Sequence, residues 1–264
     1  MEWRDRGIII GTRRHGETSL ILEVMTERRG RHLGLVRGGR SRRQQPILQP
    51  GNEVDLTWRA RLEEHLGLFQ VEPLALAAAR LMDRPTGILG IQLLASHLRL
   101  LPERDPHAEL FRAMEVIIEH LCEAEIAGPL MVRFELRLLE ELGFGLDLSA
   151  CAGTGLRNDL IYVSPKTGRA VSRLAGEPWK DKLLALPPFL GGQPSVVPDA
   201  AAMADAFALT AHFLNRHVYE PRGMKQPDTR AGFVAAVRRA IADDGGNPID
   251  EDERHDESGR HDAG

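Results

Sequence analysis

Between Arg28 and Arg43 the chain carries Arg28, Arg29, Arg31, Arg37, Arg40, Arg42 and Arg43, seven cations with no acid among them. Most charge runs are solvated loops. Seven unpaired cations repel one another, however, and such a cluster is relieved when it meets an anion. The stretch Arg37-Gly38-Gly39-Arg40-Ser41-Arg42-Arg43 adds glycines whose backbone can approach phosphates closely. Guanidinium groups bind phosphate bidentately and stack on bases, so the expected chemistry is polyanion binding. Trp58 and Phe69 lie in predicted strands and would offer stacking platforms. Barrel core is the favoured expectation for both.

The usual catalytic patterns are missing. No phosphate-binding G-x-x-x-x-G-K-[ST] loop occurs, and no lysine precedes Lys166. No G-x-G-x-x-G, G-x-S-x-G or H-E-x-x-H is present. His212 and His217 are five apart, off the helical face needed for paired ligation. His120 and Cys122 are two apart and point in different directions on a helix. Cys122 borders an apolar stripe and reads as core. No enzyme activity and no cofactor are expected.

The elements that must hold the arginines read as strands. Apolar or alternating runs cover Arg6–Arg13, Thr18–Thr26, Arg31–Arg37, Glu53–Trp58 and Leu66–Val71. Five short strands with Gly-containing turns predict a small antiparallel barrel over residues 1–80. Gly38–Asn52, with Pro46 and Pro50, reads as a long loop. From about residue 74 the period shifts toward 3.6. Stripes at Ile88-Ile91-Leu94-Leu98-Leu101, Leu110-Met114-Ile117-Ile118-Leu121 and Leu130-Phe134-Leu138-Leu139-Leu142 predict three helices. Ala200–Val218 and Arg230–Ile241 predict two more, giving a helical domain over 81–241. Gly145–Gly176 interrupts it with five glycines and an alternating Leu160–Val163, an inserted hairpin or loop.

Charge follows the same division. Residues 1–80 sum to +4, residues 81–241 to −1 and residues 242–264 to −7, within a net −4. The acidic, apolar-poor segment 242–264 is expected to be disordered. Two cysteines exclude a disulfide framework and suggest a reducing compartment. The stretch Thr86–Leu98 is too short and polar to span a membrane. The charged opening Met1-Glu2-Trp3-Arg4-Asp5 lacks a secretory apolar core, so the chain reads as cytoplasmic.

Several runs occur in the order seen in the RecO recombination mediators. They are Gly7-Ile8-Ile9-Ile10, Glu17–Leu22, Thr26 with Gly30, Arg37-Gly38-Gly39-Arg40 and Leu48-Gln49-Pro50. Arg133–Leu136, Leu139–Phe144 and Leu146-Asp147-Leu148 followed by Cys151 continue the series, and the match spans residue 6 to about 241. The chain therefore resembles that family. The resemblance implies an α+β multidomain protein, an OB-fold barrel followed by an all-α helical domain. It further implies a nucleoid-associated DNA repair protein without catalytic residues. Such a protein would bind single- and double-stranded DNA and anneal complementary strands. With RecR it would help load RecA onto DNA coated by the single-strand binding protein.

The sequence departs from the family at one place. Many members carry a zinc site built from two C-x-x-C pairs after the third helix. Here those positions are Cys151 and Thr154, then near Ser172 and Ala175, so the insertion is zinc-finger-like but lacks most ligands, and no metal is expected. The resemblance also implies a receptor for the acidic tail of the single-strand binding protein. Arg133 and Arg137 share one helical face flanked by Leu130, Phe134 and Leu138, and are assigned to it. The competing assignment pairs both arginines with Glu135, Glu140 or Glu141. Two other functions stay open: an OB-fold RNA-binding module in translation or RNA decay, and an adaptor whose basic loop meets an acidic protein.

Overall fold

The computed structural model describes residues 1–191 and 197–244. Five strands come first: β1 (Glu2–His15), β2 (Ser19–Thr26), β3 (Gly30–Val36), β4 (Glu53–Arg59) and β5 (Leu68–Ala75). They close into a barrel in the order β1-β2-β3-β5-β4. The order is that of an OB-fold, with β3 and β5 meeting in parallel at Leu35 and Leu68. β1 closes the barrel by pairing with β4 over Glu2–Ile8 and with β2 over Gly7–His15.

β1 starts four residues before its predicted beginning. Cross-strand pairs of Arg4 with Asp55 and of Glu2 with Arg59 hold this polar stretch in the sheet, where apolar alternation gives no signal. β5 likewise begins two residues later than predicted and continues to Ala75 on the edge of β4.

Period-2 alternation decides which core each strand residue enters. Ile9, Leu22, Val24, Val54, Leu56, Trp58 and Phe69 fill the barrel. Ile8, Ile10 and Met25 point the other way, into the core of the helical region. Gly34 is required at a crossing, because a Cβ there would sit 2.3 Å from the Phe69 ring.

The helical region comprises α1 (Ala78–Met82), α2 (Pro85–Leu98), α3 (Ala108–His120), α4 (Ala124–Glu141), the short α5 (Arg173–Gly176), α6 (Ala200–Leu214) and α7 (Asp228–Asp244). The three predicted stripes fall on α2, α3 and α4. In the first, Ile88 is exposed and Leu101 lies beyond the helix end. Gly143, at φ +85°, stops the chain after α4. α6 is capped by the Asp199 carboxylate, which accepts from the Ala202 amide at 2.7 Å, and runs on into a π turn, Asn215–Tyr219. The insertion forms β6 (Leu160–Val163), β7 (Ala170–Ser172) and β8 (Leu184–Ala185), in the order β7-β6-β8. The acidic segment from residue 245 onward lies outside the described residues.

Candidate nucleic-acid interface

The seven arginines of the basic run divide into two groups at opposite ends of β3, which spans about 20 Å. The first group is engaged. Arg28 pairs with the buried Asp5 (Nε to Oδ1 3.2 Å), and its amide donates to the same carboxylate. The Arg29 guanidinium lies 5.0 Å over the Trp3 ring. Arg31 is largely buried and donates to Glu23 at 2.9 Å, Glu103 at 3.5 Å and the Leu101 carbonyl. Acids that are remote in sequence therefore neutralise part of the run. The expectation of seven unpaired cations fails at this end, because strand pairing and the segment after α2 bring Asp5, Glu23 and Glu103 alongside.

The second group surrounds a pinned loop. Gly38 takes φ +65°, a left-handed turn after Arg37. The Arg40 amide donates to the Thr18 carbonyl at 3.0 Å, and its guanidinium donates to the Gly16 and Glu17 carbonyls of the β1–β2 hairpin. Gly39 lies against Leu20 and Leu48, where a Cβ would have no room. Gln45 donates to the Arg40 carbonyl, and Asn52 to those of Pro46 and Ile47. The loop is thus held by its own backbone and by the hairpin. Arg37, Arg42 and Arg43 stay exposed, with no ion pair among the described residues. A groove between this loop and the hairpin is lined by Arg14, Arg40 and Glu17; Arg14 and its neighbour Arg13 are both exposed and without ion pairs among the described residues. Sequence reasoning missed these two. Their signal is a charged pair at the end of an apolar strand, just before Gly16. Thr12, Thr18, Ser41 and Gln45 add neutral hydrogen-bonding groups to the same groove.

Trp58 and Phe69 are 1 % and 4 % exposed and belong to the barrel core. They cluster there with Trp3 and His32. Burial pushes the His32 imidazole down to about 4.

A second groove lies on α4. Arg133, Leu136 and Arg137 line it with Leu146 and Leu148. Phe134 and Leu138, expected to flank it, are instead in the core, and Leu130 is half-buried. The groove face follows i, i+3, i+4 spacing from Arg133, which selects Leu136. Arg137 pairs with Glu140 and Glu141, each at 2.9 Å. Arg133 donates to the Phe189 carbonyl at 3.2 Å and lies over the Phe189 ring. Glu135 faces away, to Arg230.

In the insertion, Cys151 is buried and its sulfur accepts from the Ser172 amide at 3.3 Å. A Cβ on Gly153 would lie 3.7 Å from the Ala175 methyl, so the four family positions remain neighbours. One thiol, two hydroxyls and a methyl do not fit a tetrahedral zinc set.

A closed five-stranded barrel with a basic loop, joined to helices that carry a small β insertion, defines an OB-fold protein with a helical C-terminal region. A family model described as Recombination protein O N terminal matches residues 1–76, and one described as Recombination protein O C terminal matches residues 93–226. A protein of Mesorhizobium japonicum named DNA repair protein RecO is 66 % identical over 239 residues, 90 % of this chain and 94 % of that one. A protein of the same name from Chelativorans is 66 % identical over 241 residues, covering 91 % and 97 %. The one from Brucella abortus is 60 % identical over 241 residues, covering 91 % and 98 %. The chain belongs to the RecO family of DNA repair proteins. No helix among the described residues is long and apolar enough to cross a membrane.

Proposed function

We propose that this chain binds single- and double-stranded DNA in the groove between the β1–β2 hairpin and the Arg37–Arg43 loop. It anneals complementary strands there without a catalytic residue. With RecR it helps load RecA onto DNA coated by the single-strand binding protein, at the nucleoid. One observation carries the reading: Arg14 and Arg40 line this groove, Arg13, Arg37, Arg42 and Arg43 are exposed on the same hairpin and loop, and none of the six has an ion pair among the described residues. Unpaired guanidinium groups on a rigid scaffold suit phosphates. Arg28 and Arg31, already neutralised, contribute to the barrel rather than to the contact, and Arg29 stacks on Trp3.

The test is the salt dependence of oligonucleotide binding. Arg37→Ala, Arg42→Ala and Arg43→Ala together remove about three phosphate contacts. The slope of log K against log salt should become shallower by about 2. Leaving Arg40 in place keeps the loop pinned, so the change reports contacts rather than loop order. An unchanged slope would overturn the assignment. A preference for RNA over DNA in annealing assays would favour the RNA-binding function instead.

The acidic tail of the single-strand binding protein is proposed to bind the α4 groove. A carboxylate-rich peptide with an apolar residue suits Arg133 beside Leu136, Leu146 and Leu148.

A further inference from the structure

We propose that the insertion carries a second single-strand contact, centred on Trp179, where a base stacks beside phosphates held by Lys180 and Lys182. Trp179 is 59 % exposed, whereas Trp58 is buried and Trp3 is half-buried in the barrel. Leu174, 86 % exposed, adds a second large apolar side chain left in water on the same stretch, and grouped apolar exposure of this kind marks an interaction surface. The turn Glu177–Lys182 is a short 3-10 helix held in place by its neighbours. Gly176 abuts the Tyr162 ring so closely that a Cβ would come within 2.5 Å, and the Arg173 amide donates to the Asp159 carbonyl.

Charge selects the occupant. Residues 157–182 hold six cations against three acids, and three of the chain's four lysines lie in this stretch. Lys182 Nζ sits 5.6 Å from the Trp179 ring centre. Lys180 pairs with Glu177 and Arg173 with Asp159, but all four groups are exposed, and such pairs open readily to a phosphate. Asp181 is the remaining acid. An exposed indole flanked by cations is a sequence-tolerant single-strand platform. The insertion is tied by Arg133 to α4, by His212 to α6 and by Arg216 to the π turn after it, so this contact is separate from the barrel groove. Nucleic acid as the occupant rests on the function proposed above. Two separate sites would let one molecule hold two strands.

The full-length chain is titrated with oligothymidylate while tryptophan emission is followed. Quenching is expected, and Trp179→Phe should abolish most of it. Trp179→Ala and, separately, Lys180→Ala with Lys182→Ala should weaken binding of long strands about tenfold, with unchanged melting temperature. Equal quenching in Trp179→Phe, or unchanged affinity in both other variants, overturns the inference. Equal quenching by polyglutamate overturns it in favour of an acidic protein. The Arg37, Arg42 and Arg43 triple variant separates the two proposals. Trp179 quenching that persists there, with an unchanged salt slope, sinks the barrel groove alone. Loss of barrel binding with no Trp179 quenching in the parent sinks this site alone.

Discussion

Arg230 meets Glu135 edge to edge, with Nε 2.8 Å from Oε1 and Nη2 2.9 Å from Oε2. His97 Nε2 lies 2.9 Å from the same Oε1, and the Thr210 hydroxyl donates to Oε2. One carboxylate thereby joins α2, α4, α6 and α7. Burial pushes the Glu135 carboxyl up. The Arg230 charge and hydrogen bonds from His97 and Arg230 outweigh that and hold it well below the ordinary range.

Glu135→Ala should lower unfolding stability by about 3–5 kcal/mol, because Arg230 is left buried and uncompensated. The folded pKa lies below the ordinary 4.5, so the contribution is full above that pH and is lost as pH falls toward the folded value. Denaturant titrations at several pH values should show Glu135→Gln less stable near neutrality, with a flatter acid limb. An equally steep acid limb in the variant would mean that other carboxylates govern acid unfolding.

His32 titrates in the opposite sense to a salt-bridged histidine. Its folded value of about 4 lies below the ordinary 6.5, chiefly through burial, with the Arg104 and Arg29 charges adding to it. Folding favours the neutral ring. Stability is therefore full above about pH 6.5 and falls as pH drops toward 4, by up to about 3 kcal/mol. His32→Phe keeps the edge contacts with Trp3 and Trp58 and should flatten melting temperature between those pH values. A slope identical to that of the parent would place the titrating group elsewhere.

The four family zinc positions are still adjacent, so chemistry rather than geometry separates this insertion from a metal site. Thr154→Cys, Ser172→Cys and Ala175→Cys together should bind one zinc per chain through four thiolates and raise the melting temperature. Cys151→Ser alone should cost about 1 kcal/mol or less, since the Ser172 amide can donate to the new hydroxyl. Metal analysis and thermal melts of the two variants check this. A triple variant that stays metal-free would mean that the backbone has lost the site as well.

Arg133→Ala should weaken an acidic tail peptide by about 1–3 kcal/mol, the range for a charged hydrogen bond. Bare single-stranded DNA should bind as before. Arg137→Ala should change peptide affinity less, because Glu140 and Glu141 already neutralise Arg137. Fluorescence anisotropy with a labelled peptide measures both. Equal peptide affinity for parent and Arg133→Ala would move the receptor elsewhere.

Local signals reach some of these features and stop at others. Alternation in Ser19–Thr26 and Gly30–Val36 and the 3.6 period of Leu110–Leu121 specify their elements, because each buries a regular face. The polar start of β1 has no such face and is set by partners more than fifty residues away. The basic run looks uniform in sequence, yet Arg31 is neutralised by Glu23 and Glu103 while Arg37 has no ion pair among the described residues. Only strand pairing and the packing of the segment after α2 decide that. Arg14 escapes notice for the same reason, since its groove exists only when Arg40 reaches the hairpin. The Glu135 network draws on four helices, and the sequence pattern shows Glu135 merely as a charge inside an apolar stripe.

Ile9 points into the barrel while Ile8 and Ile10 point into the helices, so one strand serves two cores. A gene fragment ending after residue 76 would encode every barrel strand but bear Ile8, Ile10 and Met25 on an uncovered flank. Expressed alone, such a fragment should self-associate and be cleared by proteases. The intact chain, by the same coupling, should melt in a single calorimetric transition rather than two. Exchange of barrel halves between distant relatives would succeed only when the helical half that seats those three side chains is inherited with it.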